Sequence, residues 1–470
     1  MKKRVVELGD GRFAVPGNRW DLLADREPAA RTISVVIPFY REQHMLELVL
    51  AGLAAQTHPR SKLQVVIADD GSPEPPCIPE IARCLAPTIV RQDDHGFRAA
   101  AARNLGVQHS DGELIVLLDG DTVPEPQYLQ HLSRLPALLP DAVVAGRRRY
   151  TDFTGWTDEG LLSWFDGDRG PPDVLDEPQW LIEHYRRSTN LLKTEPRSFT
   201  YLIGAVLACS RTMYTEIGGF DETFVGYGGE DYDFTYRAWN AGAVLGYVPE
   251  AVAWHQGPDW SGRVPDRSQQ RSQKNVEALA LARKSPEPSF RAAGQWYQVC
   301  DFVVEINCTG WSLAAAVVSI QSLLSVLDCG VWLVGDDPST IADAFHGDPR
   351  VRCAAVGPAY PGRQGIGARA RARMNLTVPI VADARFGRRV NDMLAADIGR
   401  LTVHEQEQPV ATITSTRAGA RAARWDGNLG GDREALLGQL FDVDTVPASE
   451  IGLEVIKQEP SLPAVFGGWA

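Results

Sequence analysis

Three apolar runs, each closing on a polar or acidic end, constrain this chain more than any other feature: SVVIP from Ser34, LQVVIADD from Leu63 and ELIVLLDGD from Glu113. Short continuous apolar runs bounded by turn signals fit strands buried on both faces. Helical patterns at 44–55 and 98–108 separate them, and strand alternating with helix predicts an α/β fold with a parallel sheet. In open sheets of this kind ligands bind outside the carboxyl ends of the strands, which places Tyr40, Asp69, Asp70, Asp119 and Asp121 on one rim.

A length of 470 residues set against about 150 per domain predicts two or three domains. Hydrophobic content of 44% and charged content of 23% exclude a disordered or collagenous chain. Lys plus Arg at 47 against Asp plus Glu at 60, a net charge of −13, argues against nucleic acid as a partner, while leaving room for a local basic pocket. The cysteines include no C-x-x-C pair, so zinc and disulfide frameworks are not expected and buried, reduced thiols are. The opening MKKRVVELGDGRFAVPG lacks an apolar core, and the most apolar later stretch, 311–327, is interrupted by Ser319, Gln321, Ser322 and Ser325. That pattern predicts neither signal peptide nor membrane span, and a cytoplasmic chain.

Residues 1–32 read as an irregular lead-in and 33–285 as one α/β domain; KSPEPSF at 284–290 marks a boundary. The stretch 152–196, rich in Gly, Pro, Trp and charge, reads as a mobile or acceptor-facing insertion. Residues 291–470 repeat the first half in faded form. DFVVEIN at 301–307 matches ISVVIPF at 33–39, and WLVGDDPS at 332–339 matches VVIADDGS at 65–72. RARMNLTVP at 371–379 matches AARNLGV at 101–107, and IVADARFG at 380–387 then falls where IVLLDGDTV lies.

Asp119-Gly120-Asp121 follows an apolar strand, where the glycine lets the backbone turn and both carboxylates can face one hard cation, Mg²⁺ or Mn²⁺. A nucleoside diphosphate suits such a cation; a plain strand-end turn is the alternative. Asp70 can accept from a base N–H or a ribose hydroxyl, or simply form an Asp-Gly turn. Arg98 and Arg103 lie near a helix start, where guanidinium groups suit a diphosphate. In GGFDETFVGYGGEDYDF, Gly229 precedes Glu230 and Asp231, which can cap a helix or, beside a diphosphate, supply a general base. His255 in VAWHQG can be structural or complete a metal shell. Arg147 to Arg149 either meet an anionic acceptor or end a strand.

As an ordered set, VVIPFYRE, ADDGS, GFRAAAARNLG, LLDGD and GGFDE…GYGGEDYDF resemble the family-two glycosyltransferases of GT-A fold. The end of the same half resembles the galactosyltransferase-type segment of chondroitin-polymerase-like enzymes and polypeptide N-acetylgalactosaminyltransferases. The resemblance covers roughly 30–285 and implies a Rossmann-like, mainly parallel sheet with transfer from a nucleotide-sugar, a UDP-sugar in first place, by inversion. It implies Pro38, Tyr40 and Glu42 bordering the base, Asp70 holding it, and Arg103 near base and phosphates. It further implies Asp119 with Gly120 at the ribose or metal, Asp121 and His255 as ligands of Mn²⁺ or Mg²⁺, Asp231 as catalytic base, and Gly229 and Glu230 at the acceptor. Gly204-Ala205-Val206 departs from the family's Gly-x-Asn, which leaves the donor sugar open.

The second half reads as a degenerate GT-A-like domain, because Asp383-Ala384-Arg385 puts a cation where a metal acid would stand and no GGED counterpart follows. Acceptor binding, homodimerisation and rigidity are the roles open to it. The acceptor is unread, and a soluble or membrane-surface molecule both fit. Rival readings are a sugar-nucleotide pyrophosphorylase, against which the first loop Pro-Phe-Tyr-Arg-Glu speaks, and a non-catalytic carbohydrate-binding scaffold, against which the intact DGD and GGED speak.

Overall fold

The computed structural model describes residues 4–259, 266–292, 295–353, 369–428 and 432–468. Two units divide it, Arg4–Trp239 with Ala243–Leu281, and Ala282–Ala470 with two short segments.

The first unit opens with a hairpin of β1 (Val6–Gly9) and β2 (Arg12–Ala14). The segment read as an irregular lead-in is therefore structured: Phe13, Val15 and Leu23 lie in the main core. Asn18 is buried and bridges strands and loops through Leu191 O and Leu245 O.

The main sheet contains β3 (Ile33–Phe39), β4 (Leu63–Asp69), β5 (Thr88–Arg91), β6 (Leu114–Leu118), β7 (Thr122–Pro124), β8 (Ala142–Thr151), β9 (Val206–Ser210) and β10 (Val244–Gln256). Their spatial order is β5-β4-β3-β6-β9-β8-β10-β7. The pairs β5-β4, β4-β3, β3-β6 and β8-β10 are parallel, while β9 and β7 run antiparallel to their neighbours. This is the mixed, mainly parallel GT-A-type sheet that the resemblance implied. Every residue of β6 is buried, as expected of a strand covered on both faces. The helix Ala99–Gln108 seats closely on β3 because Gly106 has no side chain; a Cβ there would stand 2.3 Å from Val36 Cγ1.

The stretch 152–196, expected to be a mobile or acceptor-facing insertion, contributes in its first part to the core. Phe153, Trp156 and Leu161 are buried in the same cluster as β3 and β6, and helices Asp158–Phe165 and Gln179–Ser188 form within it. Arg147 to Arg149 lie inside β8 rather than after a strand. Of the cysteines expected to be buried, Cys77, Cys84 and Cys353 are exposed. Among the described residues no helix is long and apolar enough to cross a membrane.

The second unit carries β11 (Phe302–Asn307), β12 (Cys329–Val334), β13 (Val351–Cys353), β14 (Ala372–Leu376), β15 (Ile380–Ala382), β16 (Ile398–Glu405), β17 (Gln408–Ser415), β18 (Asp442–Pro447) and β19 (Leu453–Val455). Its sheet order is β13-β12-β11-β14-β17-β16-β18, with β15 on β19. Strand for strand, this is the order of the first sheet from β5 to β10. The directions agree too: β11-β12, β12-β13, β11-β14 and β16-β18 are parallel, and β17 is antiparallel to β14 and β16. The antiparallel pair β15-β19 reproduces β7 against the second half of β10.

Topology corrects the sequence register of the repeat. RARMNLTVP is not the counterpart of the helix at 99–108; its Ala372–Leu376 is β14, the counterpart of β6. The turn that matches Asp119-Gly120-Asp121 is therefore Thr377-Val378-Pro379, between β14 and β15, and it holds no carboxylate. Asp383 instead caps the following helix Ala384–Ala395, accepting from Arg385 N at 2.7 Å.

Candidate functional site

A cleft of ≈230 Å³ opens at the carboxyl ends of β3, β4 and β6, lined by Pro38, Tyr40, Glu42, Asp70, Phe97, Arg103, Asp119, Gly120, Asp121, Arg148, Tyr227 and His255 among others. Most of the residues singled out from the sequence thus share one cavity. Arg98, Gly229, Glu230 and Asp231 do not line it.

Its floor is set by strand register. The backbone turns after β6, with Thr122 N donating to Asp119 O at 3.0 Å, and Gly120 permits the turn to approach β3, since a Cβ there would stand 3.0 Å from Pro38 O. β7 then pairs antiparallel with β10 so that Thr122 faces His255. His255 Nε2 consequently lies 3.2 Å from Asp121 Oδ2, the imidazole almost fully buried and the carboxylate one third exposed. Two ligands at about 2.1 Å from one octahedral ion and at right angles stand about 3 Å apart. The pair therefore fits adjacent positions on a single divalent cation.

Arg103 is the charge at the centre of the wall. Its side chain is 5% exposed; Nη2 donates to Asp119 Oδ1 at 2.8 Å and Nη1 to Glu230 Oε1 at 3.2 Å. Burial works against this charge, but Asp119, Glu230 and Asp231 together raise its pKa. Expected near base and phosphates, Arg103 instead ties the DGD turn to the GGED helix. Its planar fork is what allows two carboxylates to be held at once.

The base-side residues are less open than expected. Asp70 is buried and accepts from Gln92 Nε2 at 2.6 Å and from Arg98 N at 2.8 Å, so it fixes the loop that carries Phe97. Arg98, expected at the diphosphate, directs its guanidinium to the Asp93 carbonyl and stands 3.9 Å from Asp70. Tyr40 is half-exposed, donating its hydroxyl to Asp94 at 3.2 Å, with the Arg41 guanidinium over its ring.

Beyond Arg103 the GYGG loop turns through Gly228 and Gly229 at φ of 97° and 93°, conformations that favour glycine. The absent side chains also admit neighbours: a Cβ on Gly228 would meet Glu277 Oε2 at 2.8 Å, and one on Gly229 would meet the Phe224 ring at 3.0 Å. Asp231 stands inside the first turn of helix Glu230–Asn240 and accepts from the next residue, Tyr232 N, at 2.8 Å, where its charge suits the helix N-terminus. Gly204 leaves it room, since a Cβ there would lie 3.2 Å from Asp231 Cβ. The dense protein around Asp231, followed by the charge of Glu230, pushes its pKa up to about 7, against the opposing pull of Arg103. A carboxylate poised near neutrality can both take and return a proton.

Sequence reasoning left Tyr150, Phe97, Tyr227 and Glu277 out of the site, and left Arg147 to Arg149 open between an anionic acceptor and a strand end. Period-two alternation in β8 separates Arg148, which lines the cleft, from Arg147 and Arg149, which reach Glu177. Nothing in the sequence announces this, because strand and rim could not be told apart there. Phe97 and Tyr227, both exposed, pack with ring centroids 6.0 Å apart and are joined by Gly226 N donating to Phe97 O at 3.0 Å. Glu277, from helix Arg267–Lys284, is buried against the GYGG loop and accepts from Lys274 at 2.6 Å.

Comparison with known proteins identifies the family of the first unit. Residues 34–213 match the model described as Glycosyl transferase family 2. The N-terminal domain is a family-two glycosyltransferase domain. Residues 186–253 of this family-two domain also match the model described as N-terminal domain of galactosyltransferase. Among similar proteins, the chondroitin synthase of Escherichia coli is 32% identical over 271 residues, which is 54% of this chain and 38% of that protein. The hyaluronan synthase of Pasteurella multocida is 28% identical over 271 residues, 54% of this chain and 27% of its own length. The chain thus spans less than half the length of these curated relatives. A mannosyltransferase from Pyrobaculum calidifontis, solved in complex with GDP-Man and Mn²⁺, is 20% identical, with 59% of this chain and 70% of the other covered and a TM-score of 0.37.

Proposed function

We propose that the chain transfers a sugar from a nucleotide donor, a UDP-sugar in first place, to an acceptor hydroxyl with inversion. The observation that carries this reading is the cleft in which Asp121 and His255 stand 3.2 Å apart, tied by Arg103 through Asp119 to Glu230, which with Asp231 stands outside the lining. Asp121 and His255 would hold a Mn²⁺ or Mg²⁺ ion, which when bound offsets the charge that grows on a leaving diphosphate. Asp231 takes the proton from the acceptor hydroxyl as its oxygen bonds to C1; the C1–O bond to the diphosphate breaks and its electron pair leaves with the nucleotide. One displacement inverts the anomeric centre. Arg103 holds Glu230 and Asp119 so that both sides of the reacting centre keep a fixed spacing.

Tyr40, Pro38 and Glu42 border the base, and Phe97 with Tyr227 flank the mouth through which an acceptor enters. A carbohydrate acceptor is favoured by those two exposed rings and by the relatives, named as synthases of chondroitin and hyaluronan. The second unit, with Thr377-Val378-Pro379 in the metal turn, serves binding rather than transfer, and the cytoplasm is the compartment that fits the whole. The test is release of UDP from UDP-sugars with and without Mn²⁺, with proton NMR of the product anomer. Transfer with retention, or transfer equally fast in EDTA, overturns the reading.

A further inference from the structure

Arg148 is the one cleft-lining guanidinium, among the described residues, whose role the reading above does not use. β8 brings it onto the face shared with Tyr150, and Tyr150 in turn lies beside His255 through the register of β8 against β10. Its guanidinium stands over the Tyr150 ring at 5.0 Å, and that ring is 5.4 Å from the His255 ring. The only carboxylate within ion-pair range in the described residues is Asp259, at 3.7 Å, beyond hydrogen-bond distance. Nε is buried and carries no hydrogen bond within the described residues. Arg103, by contrast, has both amino groups engaged by Asp119 and Glu230, and Arg98 is turned away to Asp93.

A half-buried guanidinium whose Nε is buried without a hydrogen bond in the described residues, next to the residues suited to hold a cation, is built to receive oxygens that arrive with a ligand. We infer that Arg148 binds the phosphate oxygens of the donor's diphosphate, beside the Asp121–His255 pair, and is held ready for them by Tyr150 and Asp259. The inference rests on the donor reading above and adds to it a phosphate contact. The donor is favoured over an acceptor anion because Tyr150, which stacks under the Arg148 guanidinium, also packs against His255 of the cation pair.

The test compares UDP with uridine, each titrated with Mn²⁺ present into the full chain and into its Arg148→Gln and Arg148→Lys variants, by calorimetry and ligand-observed NMR. Arg148→Gln is expected to weaken UDP by about tenfold or more and to leave uridine unchanged, with Arg148→Lys recovering part of the loss, as for a charge-assisted contact. Thermal melting of each variant checks that the chain is folded. UDP bound equally by Arg148→Gln and wild type overturns the proposal and leaves the donor reading standing. UDP and uridine weakened alike also overturns it, since the change would then be one of cleft shape. A loss confined to an anionic acceptor would assign Arg148 to the acceptor and overturn it too. If the wild type binds neither UDP nor, in the matching guanosine series, GDP, the donor reading falls and this inference with it.

Discussion

His255 Nε2 lies 3.2 Å from Asp121 Oδ2, a meeting produced by the antiparallel pairing of a three-residue strand, Thr122–Pro124, with β10. Removing either side chain should abolish cation binding without disturbing the fold, because both sit at the end of the sheet. Asp121→Ala and His255→Ala are expected to lower transfer by about 10²-fold or more, and Mn²⁺ affinity with it. Electron paramagnetic resonance of bound Mn²⁺ reads this directly, and unchanged Mn²⁺ binding in both variants would count against the site.

Asp231 supplies the pH dependence. Its pKa is pushed up to about 7, so the carboxylate is protonated and inactive as a base below that value and ionised above it. The rate of transfer is expected to fall as pH drops through about 7 and to level off on the alkaline side. Asp231→Asn should cost about 10²–10⁴-fold in kcat with little change in donor affinity. Glu230→Gln, which removes the neighbouring negative charge, should move the acid limb to lower pH.

Arg103 opposes that rise. Arg103→Met leaves Asp119 and Glu230 facing each other across a buried gap, expected to cost about 3–5 kcal/mol of stability and to move the acid limb to higher pH. Arg103→Lys keeps the charge but not the fork, so it should restore the pH limb better than the melting temperature. Urea unfolding and a pH–rate profile on the same samples separate the two effects.

Packing of the helix Ala99–Gln108 gives a prediction free of chemistry. Gly106→Ala places a methyl 2.3 Å from Val36 Cγ1, so the helix must shift on β3, at about 1–3 kcal/mol. Because that helix carries Arg103, transfer should fall by more than the loss of folded protein explains. Stability equal to wild type would show that the contact relaxes without cost.

In the second unit the Asp383–Arg385 pair is exposed and local. Asp383→Ala and Arg385→Ala are expected to leave Mn²⁺ binding and transfer within twofold of wild type, about the size expected of surface changes. A tenfold loss would mean that this segment takes part in the chemistry after all.

The central strands were legible because SVVIP, LQVVIADD and LIVLLDGD are apolar without interruption, a pattern that parallel strands under helices impose. The carboxylates at their ends were legible for the same reason, since the topology fixes which end faces ligands. The pairing of Asp121 with His255 was not readable from spacing, as it depends on the register of strands more than a hundred residues apart. Arg148 could not be told apart from Arg147 and Arg149 because β8 is polar at that end and alternation cannot be read until the strand is known to continue. In the repeat, the Arg and Asn of RARMNLTVP imitated a helix segment, and hydrogen-bond order alone reveals it as the partner of LIVLL. Glu277 was hidden because a charged helix looks solvated until a side-chain-free loop is found beneath it.

The turn Thr377-Val378-Pro379 occupies in the second sheet the place that Asp119-Gly120-Asp121 occupies in the first, and the strands on either side keep their order and direction. Val378 packs against the core of the second unit, so an apolar side chain anchors this turn where carboxylates stand in the other. A comparison by shape alone would take the two sheets for equivalents; one that read the turn would set apart the unit whose strand end carries carboxylates.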